Sequence, residues 1–362
     1  MTNRRTYWAV EALSTGVHGA SAGLVENSDY LPGVQSVGLT TNFNLEQIFQ
    51  LGQLEIYQDL EEVPDVEITV ERAMDQFTCL YGRAMDPAAP NAVNISGDQN
   101  NQVDVFFSVG DDANENINDA DLLAVAYCSG MFCSSASFNF GTDGFFTESI
   151  SLVGNHKIWN QAPAAANIPT GGPKLLNIDT GNVAKRQKFA FLSAGVPTPL
   201  EDLSVDNNVS ALTNTHAVSS VSVSVDFGRE EMNTLGSRQP YHRYVTFPVE
   251  VTCDIEAYVT DAANMIADAH PENNNTTENA IKFGVFADAV NNVEDGGAGV
   301  RFHAWDLGAK NRLQSVTWNG LDTGGTNATI TYSYRNFNKL DYTYKGGDAV
   351  VPADLYSSTV TA

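Results

Sequence analysis

The chain has 362 residues, of which 44 are acidic and 19 basic, giving a formal charge of −25 with only 17% of residues charged. That balance disfavours nonspecific adhesion to nucleic acid or anionic lipid, because phosphate surfaces are held by clustered Lys and Arg. The length lets roughly three quarters of the extended surface be buried in one or two cores. No apolar run approaches the ~20 residues that span a bilayer, and MTNRRTYWAV lacks the apolar region of a signal peptide, so the sequence predicts no membrane anchor and folding in a cytosol.

Residues 1–30 place Tyr7-Trp8-Ala9-Val10 ahead of a small-residue run, Gly16–Gly23, and read as an N-terminal arm. Gly19-Ala20-Ser21-Ala22-Gly23 fits G-x-S-x-G, but a nucleophile elbow needs a strand before it and a helix after it, and Glu26-Asn27-Ser28-Asp29 supplies no helix. Val34–Phe43 alternates, with Val37, Leu39 and Phe43 on one face and Ser36, Gly38, Thr40 and Asn42 on the other, which predicts a half-buried strand. Leu45, Ile48 and Phe49 have helical spacing with a stop at Gly52, so Asn44–Gly52 is read as a short helix or a turn-rich loop. Gln53–Val63 is acidic and tyrosine-bearing, and a connection of this length between partner strands points to function. A second alternating strand follows, with Val66, Ile68 and Val70 against Glu67, Thr69 and Glu71.

Val103–Val109 is a short apolar strand, and the acidic loop after it, Asp111–Asp121, invites a calcium reading. It fails as an EF-hand: counted from Asp112, position 6 is Ile117 rather than Gly and position 12 is Leu123 rather than Glu. Residues 162–217 carry five prolines and little periodicity beyond Lys188–Leu192, and read as an interdomain linker with room for one strand.

The second half returns to the beginning. At an offset of 184, Val34, Ser36, Val37, Phe43, Glu46, Leu51, Gly52, Tyr57 and Pro64 match Val218, Ser220, Val221, Phe227, Glu230, Leu235, Gly236, Tyr241 and Pro248. After one dropped residue, Val66–Thr69 lies over Val249–Thr252, and the stretches from Ser137 and Thr147 resemble those from Ser315 and Asn327. Ile281–Ala287 stands where Val103–Val109 stands in the first half. The repeat predicts two tandem domains, 31–161 and 218–345, and a C-terminal arm over 346–362.

Chemistry is sparse. Cys79, Cys128, Cys133 and Cys253 have no metal spacing and read as reduced structural thiols, and the six histidines are dispersed. No metalloprotease, Walker or dinucleotide motif occurs, so the expectation is no catalytic residue, no cofactor and no metal.

The block order in Ser36–Glu71, together with FNFGTDGFFTESISLVGNHK over Phe138–Lys157, resembles the tail tube protein family of tailed bacteriophages. The resemblance covers about two thirds of the chain, and the duplication departs from the single-domain pattern. It implies a mainly β chain of two tandem β-sandwich or split-barrel domains, each with a short helix, whose inner strands join those of neighbours around a channel. Two domains per chain make a homotrimeric, pseudo-hexameric ring the natural closure, with a hexamer of two-domain chains the other closed form. Stacked rings would form a virion tail tube assembled in the host cytoplasm, with a tail terminator, sheath or baseplate proteins as partners. DNA would pass without being held, past a lumen lined by Ser36, Thr40, Glu67, Thr69 and Glu71 in one copy. The second copy would add Ser220, Ser222, Ser224, Asp226, Glu250, Thr252 and Asp254. The connections would reach the adjacent subunit or ring through Glu46, Ile48, Phe49, Leu51 and Tyr57, and through Glu230, Met232, Leu235 and Tyr241. Two other readings stand beside it: another virion component, such as a baseplate, distal tail or capsid decoration protein, and a secreted carbohydrate-binding or adhesin module.

Overall fold

A computed structural model describes residues 11–19, 31–110, 122–161, 183–191, 218–237, 239–258, 278–286, 302–320 and 327–345. Ser21, the acidic loop 111–121, most of 162–217 and the tail 346–362 lie outside the described residues.

The fold is mainly β, as the alternation predicts. The first half contains β1 (Glu11–Val17), β2 (Val34–Asn42), β3 (Leu45–Phe49), β4 (Ile56–Glu61), β5 (Asp65–Ala73), β6 (Ala92–Asn94), β7 (Val103–Gly110), β8 (Leu122–Gly141), β9 (Thr147–Gly154) and β10 (His156–Gln161). Two short helices, α1 (Leu80–Met85) and α2 (Ile95–Asp98), sit between β5 and β7. The remainder supplies β11 (Phe189–Phe191), β12 (Val218–Asp226), β13 (Glu230–Met232), β14 (His242–Tyr244), β15 (Glu250–Tyr258), β16 (Lys282–Phe286), β17 (Phe302–Asp306), β18 (Arg312–Asn319), β19 (Thr329–Phe337) and β20 (Asp341–Lys345).

The helix expected over Asn44–Gly52 is a strand. β3 pairs with β4 as a hairpin, Leu45 opposite Glu61 and Ile48 opposite Gln58, and β13 pairs with β14 in the matching place. The apolar residues there have no core to face: Leu45 and Phe49 are well over half exposed, so the spacing that mimics a helix stripe is a protruding hairpin's outer surface. Of the two helices that do form, α1 is short and almost wholly buried; among the described residues after α2 there is a single 3-10 turn, Arg186–Lys188, ahead of the second repeat.

Eight strands lie side by side in the order β18-β19-β15-β12-β8-β9-β5-β2. The first four come from the second half and the last four from the first, joined where β12 runs antiparallel to β8. The two blocks have the same internal order and the same irregularities. β2 meets β5 as β12 meets β15, with a bulge at Gln35 in one and at Ser219 in the other. β8 meets β9 as β18 meets β19, with bulges at Ser134 and Gln314. These registers superpose Val66–Thr69 on Val251–Asp254, two residues further on than the sequence match places them, and Ser137 on Thr317 rather than Ser315. A slip of two leaves every side chain on its own face, which is why the alternation concealed it.

A second sheet, β11-β16-β17-β20-β6, closes over the apolar face of the long one, with α1 packed beside it. Phe138 and Phe140 of β8 meet Trp305 and Phe283 of the second sheet at centroid separations of 5.1–5.5 Å, so aromatic rings from both halves form one core. The long strand β8 serves two groups of strands: residues up to Met131 pair with β7 and β10, and from Phe132 onward the strand pairs with β9 and β12. Just before the change of partner stands Gly130, whose φ of 67° is one that residues with a side chain rarely adopt.

A buried polar group ties the layers together. Arg72, fully buried, donates to Pro32 O (2.6 Å), Thr78 O (2.9 Å), Glu148 Oε1 (2.9 Å) and Asp75 Oδ1 (2.6 Å). Glu148 also accepts the Leu80 and Tyr81 amides, which anchors the start of α1. Beside them the Cys79 amide donates to the Tyr342 hydroxyl (2.9 Å), which in turn reaches His303 Nδ1 (2.8 Å), while His303 Nε2 donates to the Asp75 carbonyl (2.8 Å). That order requires neutral His303 with its proton on Nε2.

Candidate assembly interface

The twelve residues expected on a lumen face share one face of the eight-stranded sheet. Ser36 stands opposite Glu71, Gly38 opposite Thr69, and Thr40 opposite Glu67. Across β12 and β15, Ser220 faces Glu256, Ser222 faces Asp254, and Ser224 faces Thr252, with the two hydroxyls of the last pair 2.7 Å apart. The alternate residues, Val66, Ile68, Val70, Val221, Val223, Val225, Val251 and Ile255, are buried on the opposite face. Sequence reading missed the middle of this wet face. Ser135, Ser137, Ser149 and Ser151 continue it between the two blocks, and with Ser224, Asp226, Glu250 and Thr252 the first three line a shallow trough of about 380 Å³. The period-two serines in SSASFNF and TESISL were the signal.

The junction between the halves shows how one block closes on another. Ser222 stands opposite Asn139, Val223 opposite Phe138, Ser224 opposite Ser137 and Val225 opposite Ala136. Phe138, Ala136, Val221, Val223 and Val225 are at most 3% exposed there. The two ends of the eight-strand row are β2 and β18, the counterparts of β12 and β8, and among the described residues neither has a partner on its outer side. Val37, Leu39 and Thr41 on β2, and Leu313, Val316 and Trp318 on β18, are only half-buried where their junction counterparts are sealed. An open edge of this length, with unpaired N–H and C=O groups above an incompletely covered apolar row, is a template for strand addition.

The hairpin residues expected to reach a neighbour all lie on β3–β4 and β13–β14 or their tips. Phe49, Leu51, Leu54 and Tyr57 are 61–102% exposed, and Met232, Leu235 and Tyr241 are 50–106% exposed. Glu46 and Glu230 are exposed as well, and Ile48 is half-buried. The second hairpin is fastened to the first half by two arginines. Arg229 donates to the carbonyls of Cys133 and Gln99 and lies over the Phe132 ring at 4.9 Å. Arg243 pairs with Asp65 and Glu231 and donates to Asn155 Oδ1 at 3.1 Å. Burial holds the Arg229 guanidinium down to about 10. Burial raises the Asp65 carboxyl, but the Asn44 hydrogen bond and the Arg243 charge outweigh it and leave Asp65 below its ordinary value.

Two clusters look catalytic and are not built for it. His18 Nδ1 lies 2.8 Å from Asp104 Oδ1 and 3.3 Å from Ser129 Oγ, so one nitrogen faces both groups and the ring cannot relay a proton from one to the other. Cys79 Sγ lies 3.6 Å from His303 Nδ1, but burial raises the thiol well above its usual range and lowers the imidazole to about 4. Both shifts oppose a thiolate–imidazolium pair. All four cysteines are buried and free. Among the described residues no group of three or more His, Cys, Asp or Glu is placed to hold a metal, and no helix is long and apolar enough to cross a membrane.

No protein-family model matches this chain, and no curated protein matches it. Among solved structures it is similar to the tube-terminating cap of an anti-feeding prophage, at 12% identity and a TM-score of 0.32, over 45% of this chain and 95% of that one. It is similar to a chain of the extended sheath–tube complex of an extracellular contractile injection system, at 14% identity and a TM-score of 0.33, over 44% and 95%. It is also similar to a chain of such a system's extended sheath/tube terminator, at 15% identity and a TM-score of 0.31, over 44% and 99%. Likenesses at these scores transfer no function to this chain.

Proposed function

We propose that this chain is a non-enzymatic structural subunit, its two halves a tandem duplication, that closes edge to edge with copies of itself into a ring and stacks as the tube of a phage tail or a phage-tail-like particle. The observation that carries the reading is the β8–β12 junction: the chain already contains one example of the contact that its two free ends, β18 and β2, are shaped to make with each other. Repeating one head-to-tail contact produces a ring when the rotation closes. Eight strands per chain, spaced ~4.8 Å apart and tilted ~40°, give a three-chain barrel a diameter of about 45–50 Å and a six-chain barrel about twice that. The trimer of six like units is the natural ring, with a hexamer of two-domain chains the other closed form.

In this arrangement the Ser, Thr, Asp and Glu face lines the channel. Its carboxylates, Glu67, Glu71, Asp226, Glu250, Asp254 and Glu256, repel duplex phosphates and offer no apolar grip, so DNA passes without being held. The hairpins project their apolar tips toward the next ring or toward terminator, sheath or baseplate proteins. The subunit would assemble in the host cytoplasm and reside in the particle's tail.

Negative-stain microscopy with a mass measurement tests this directly. Hollow rings or rods built from three chains are expected. A monomer that stays monodisperse at high concentration, with no polymer formed on any preformed tail end, would refute it. Rings that never stack would point instead to a capping ring.

A further inference from the structure

We infer that the outer edge of β10 is a second closing seam, which receives a backbone segment from the second half of a neighbouring copy of this chain. The inference rests on the ring reading and adds to it a contact away from the channel wall.

Its template is again inside the chain. β6 belongs to the first half but crosses to the second, where it pairs with the outer edge of β20: Asn94 opposite Asp341, Val93 opposite Tyr342, and Ala92 opposite Thr343. The Tyr344 amide donates to Asn91 O at 2.8 Å, and the Tyr344 hydroxyl reaches Gln76 O at 2.6 Å, so the crossing is fastened at its flank. A segment of one half thus clasps the other beside the β8–β12 junction.

β10 is the first-half counterpart of β20. It lies on β8 as β20 lies on β17, and the registers place Trp159, Asn160 and Gln161 where Asp341, Tyr342 and Thr343 stand. Among the described residues nothing pairs with its far edge. The consequences show in burial. Ile158 is half-buried where its counterpart Leu340 is fully sealed, and Trp159 is 48% exposed. Such an edge, without Pro or bulge, is open to strand addition. The direction follows from the chain's own clasp: the half that contributes β8 to a junction also contributes the crossing segment. At a β18–β2 junction between chains, the donor is therefore the second half of the neighbour and the acceptor is β10.

The test uses the alternation of a strand. Because the Tyr344 amide on β20 points toward β6, that of Tyr342 does too, and its counterpart on β10 is the Asn160 amide. Asn160→Pro removes that outward donor at an edge position, where proline leaves the β8 side intact. The variant is expected to keep the wild-type melting temperature as a monomer and to need at least tenfold more protein to form rings, while Asn160→Ala assembles as wild type does. In the wild-type chain, exchange of the outward Asn160 amide is expected to slow at least tenfold on assembly, a measurement that stands even if the proline variant misfolds. Rings in which the outer-edge amides of β2 and β18 are protected but that of Asn160 is not would overturn the seam and spare the ring. Absence of protection at every edge, with no rings, would overturn the ring reading itself.

Discussion

Phe138 of β8 and Val223 of β12 stand directly opposite each other where the two halves meet, and each is 1% exposed. Their counterparts, Trp318 on β18 and Leu39 on β2, are half-buried at opposite ends of the same sheet. Ring closure places the second pair in the relation that the first already has, and completing the burial of each such side chain adds on the order of 1–2 kcal/mol. The same register sets Thr40 opposite Thr317 of the next chain, as Ser224 stands opposite Ser137.

Thr40→Cys with Thr317→Cys should therefore form interchain disulfides on mild oxidation, since opposed residues bring Cβ atoms close to disulfide range. Non-reducing gels should show covalent species up to the closed ring. The control is Thr40→Cys with Ser315→Cys, on the same face but two residues out of register, which should cross-link poorly. The four native cysteines are buried and do not compete. Equal yields from the two pairs would mean that the junction register is not repeated between chains.

The hairpin tips carry a separate prediction. Leu51, Leu54 and Leu235 are 102–106% exposed, so replacing them with Asp should change the monomer's stability by no more than about 0.5 kcal/mol. Each leucine buried between rings contributes roughly 1.5–3 kcal/mol, repeated around the circle. The triple variant should give discs without rods by microscopy and a single slow boundary in sedimentation. Rods of normal length would remove the hairpins from the stacking contact.

How much of this was legible in the sequence depends on where a residue's environment comes from. The wet and greasy faces of β2, β5, β12 and β15 were readable because period two reports burial directly, and Ser36, Glu67, Ser222 and Asp254 sit where the alternation puts them. The hairpins were not readable. Leu45, Ile48 and Phe49 imitate a buried helix stripe, and only the fold reveals that Leu45 and Phe49 stand exposed and Ile48 is half-buried. The merging of the two halves into one sheet was also hidden, because it depends on β8 running on past its pairing with β7 and β10 and meeting β12 of the other half edge to edge. Arg72, Glu148, Asp75 and His303 escaped notice for a related reason: Arg72 and Asp75 are close in sequence, but Glu148 and His303 come to them from 76 and 228 residues away, and their charges look like surface residues until the core closes around them.

The acidic face predicts a salt response. Glu67, Glu71 and Glu250 are exposed and Asp254 half-exposed, and ring closure brings their copies around a common axis. Raising salt from about 0.05 to 0.5 M shortens the screening length several-fold, so native assembly should strengthen. Changing these four residues to Lys should leave the fold intact and make the rings retain duplex DNA at low salt. If the variant rings ignored DNA and the native assembly were unaffected by salt, this face would not line the channel.

His303 gives a pH dependence whose sign is fixed by its burial. Burial, with Arg72's charge adding to it and the hydrogen bond to the Asp75 carbonyl opposing it, lowers the imidazole to about 4 from an ordinary value near 6.5. Between those values the unfolded chain binds a proton at this site and the folded chain does not, so stability falls as pH drops from about 6.5 to about 4 and is unaffected by this group above about 7. The full loss is on the order of 3 kcal/mol. Carboxylates titrate in the same range, so the measurement is the difference between wild type and His303→Gln in denaturant unfolding across pH 4–8. That difference should shrink toward acid, because the Gln side chain takes up no proton in the unfolded state. A difference constant across the range would mean that His303 is not held neutral between Tyr342 and Asp75, and that the proton order joining the two halves at this point is wrong.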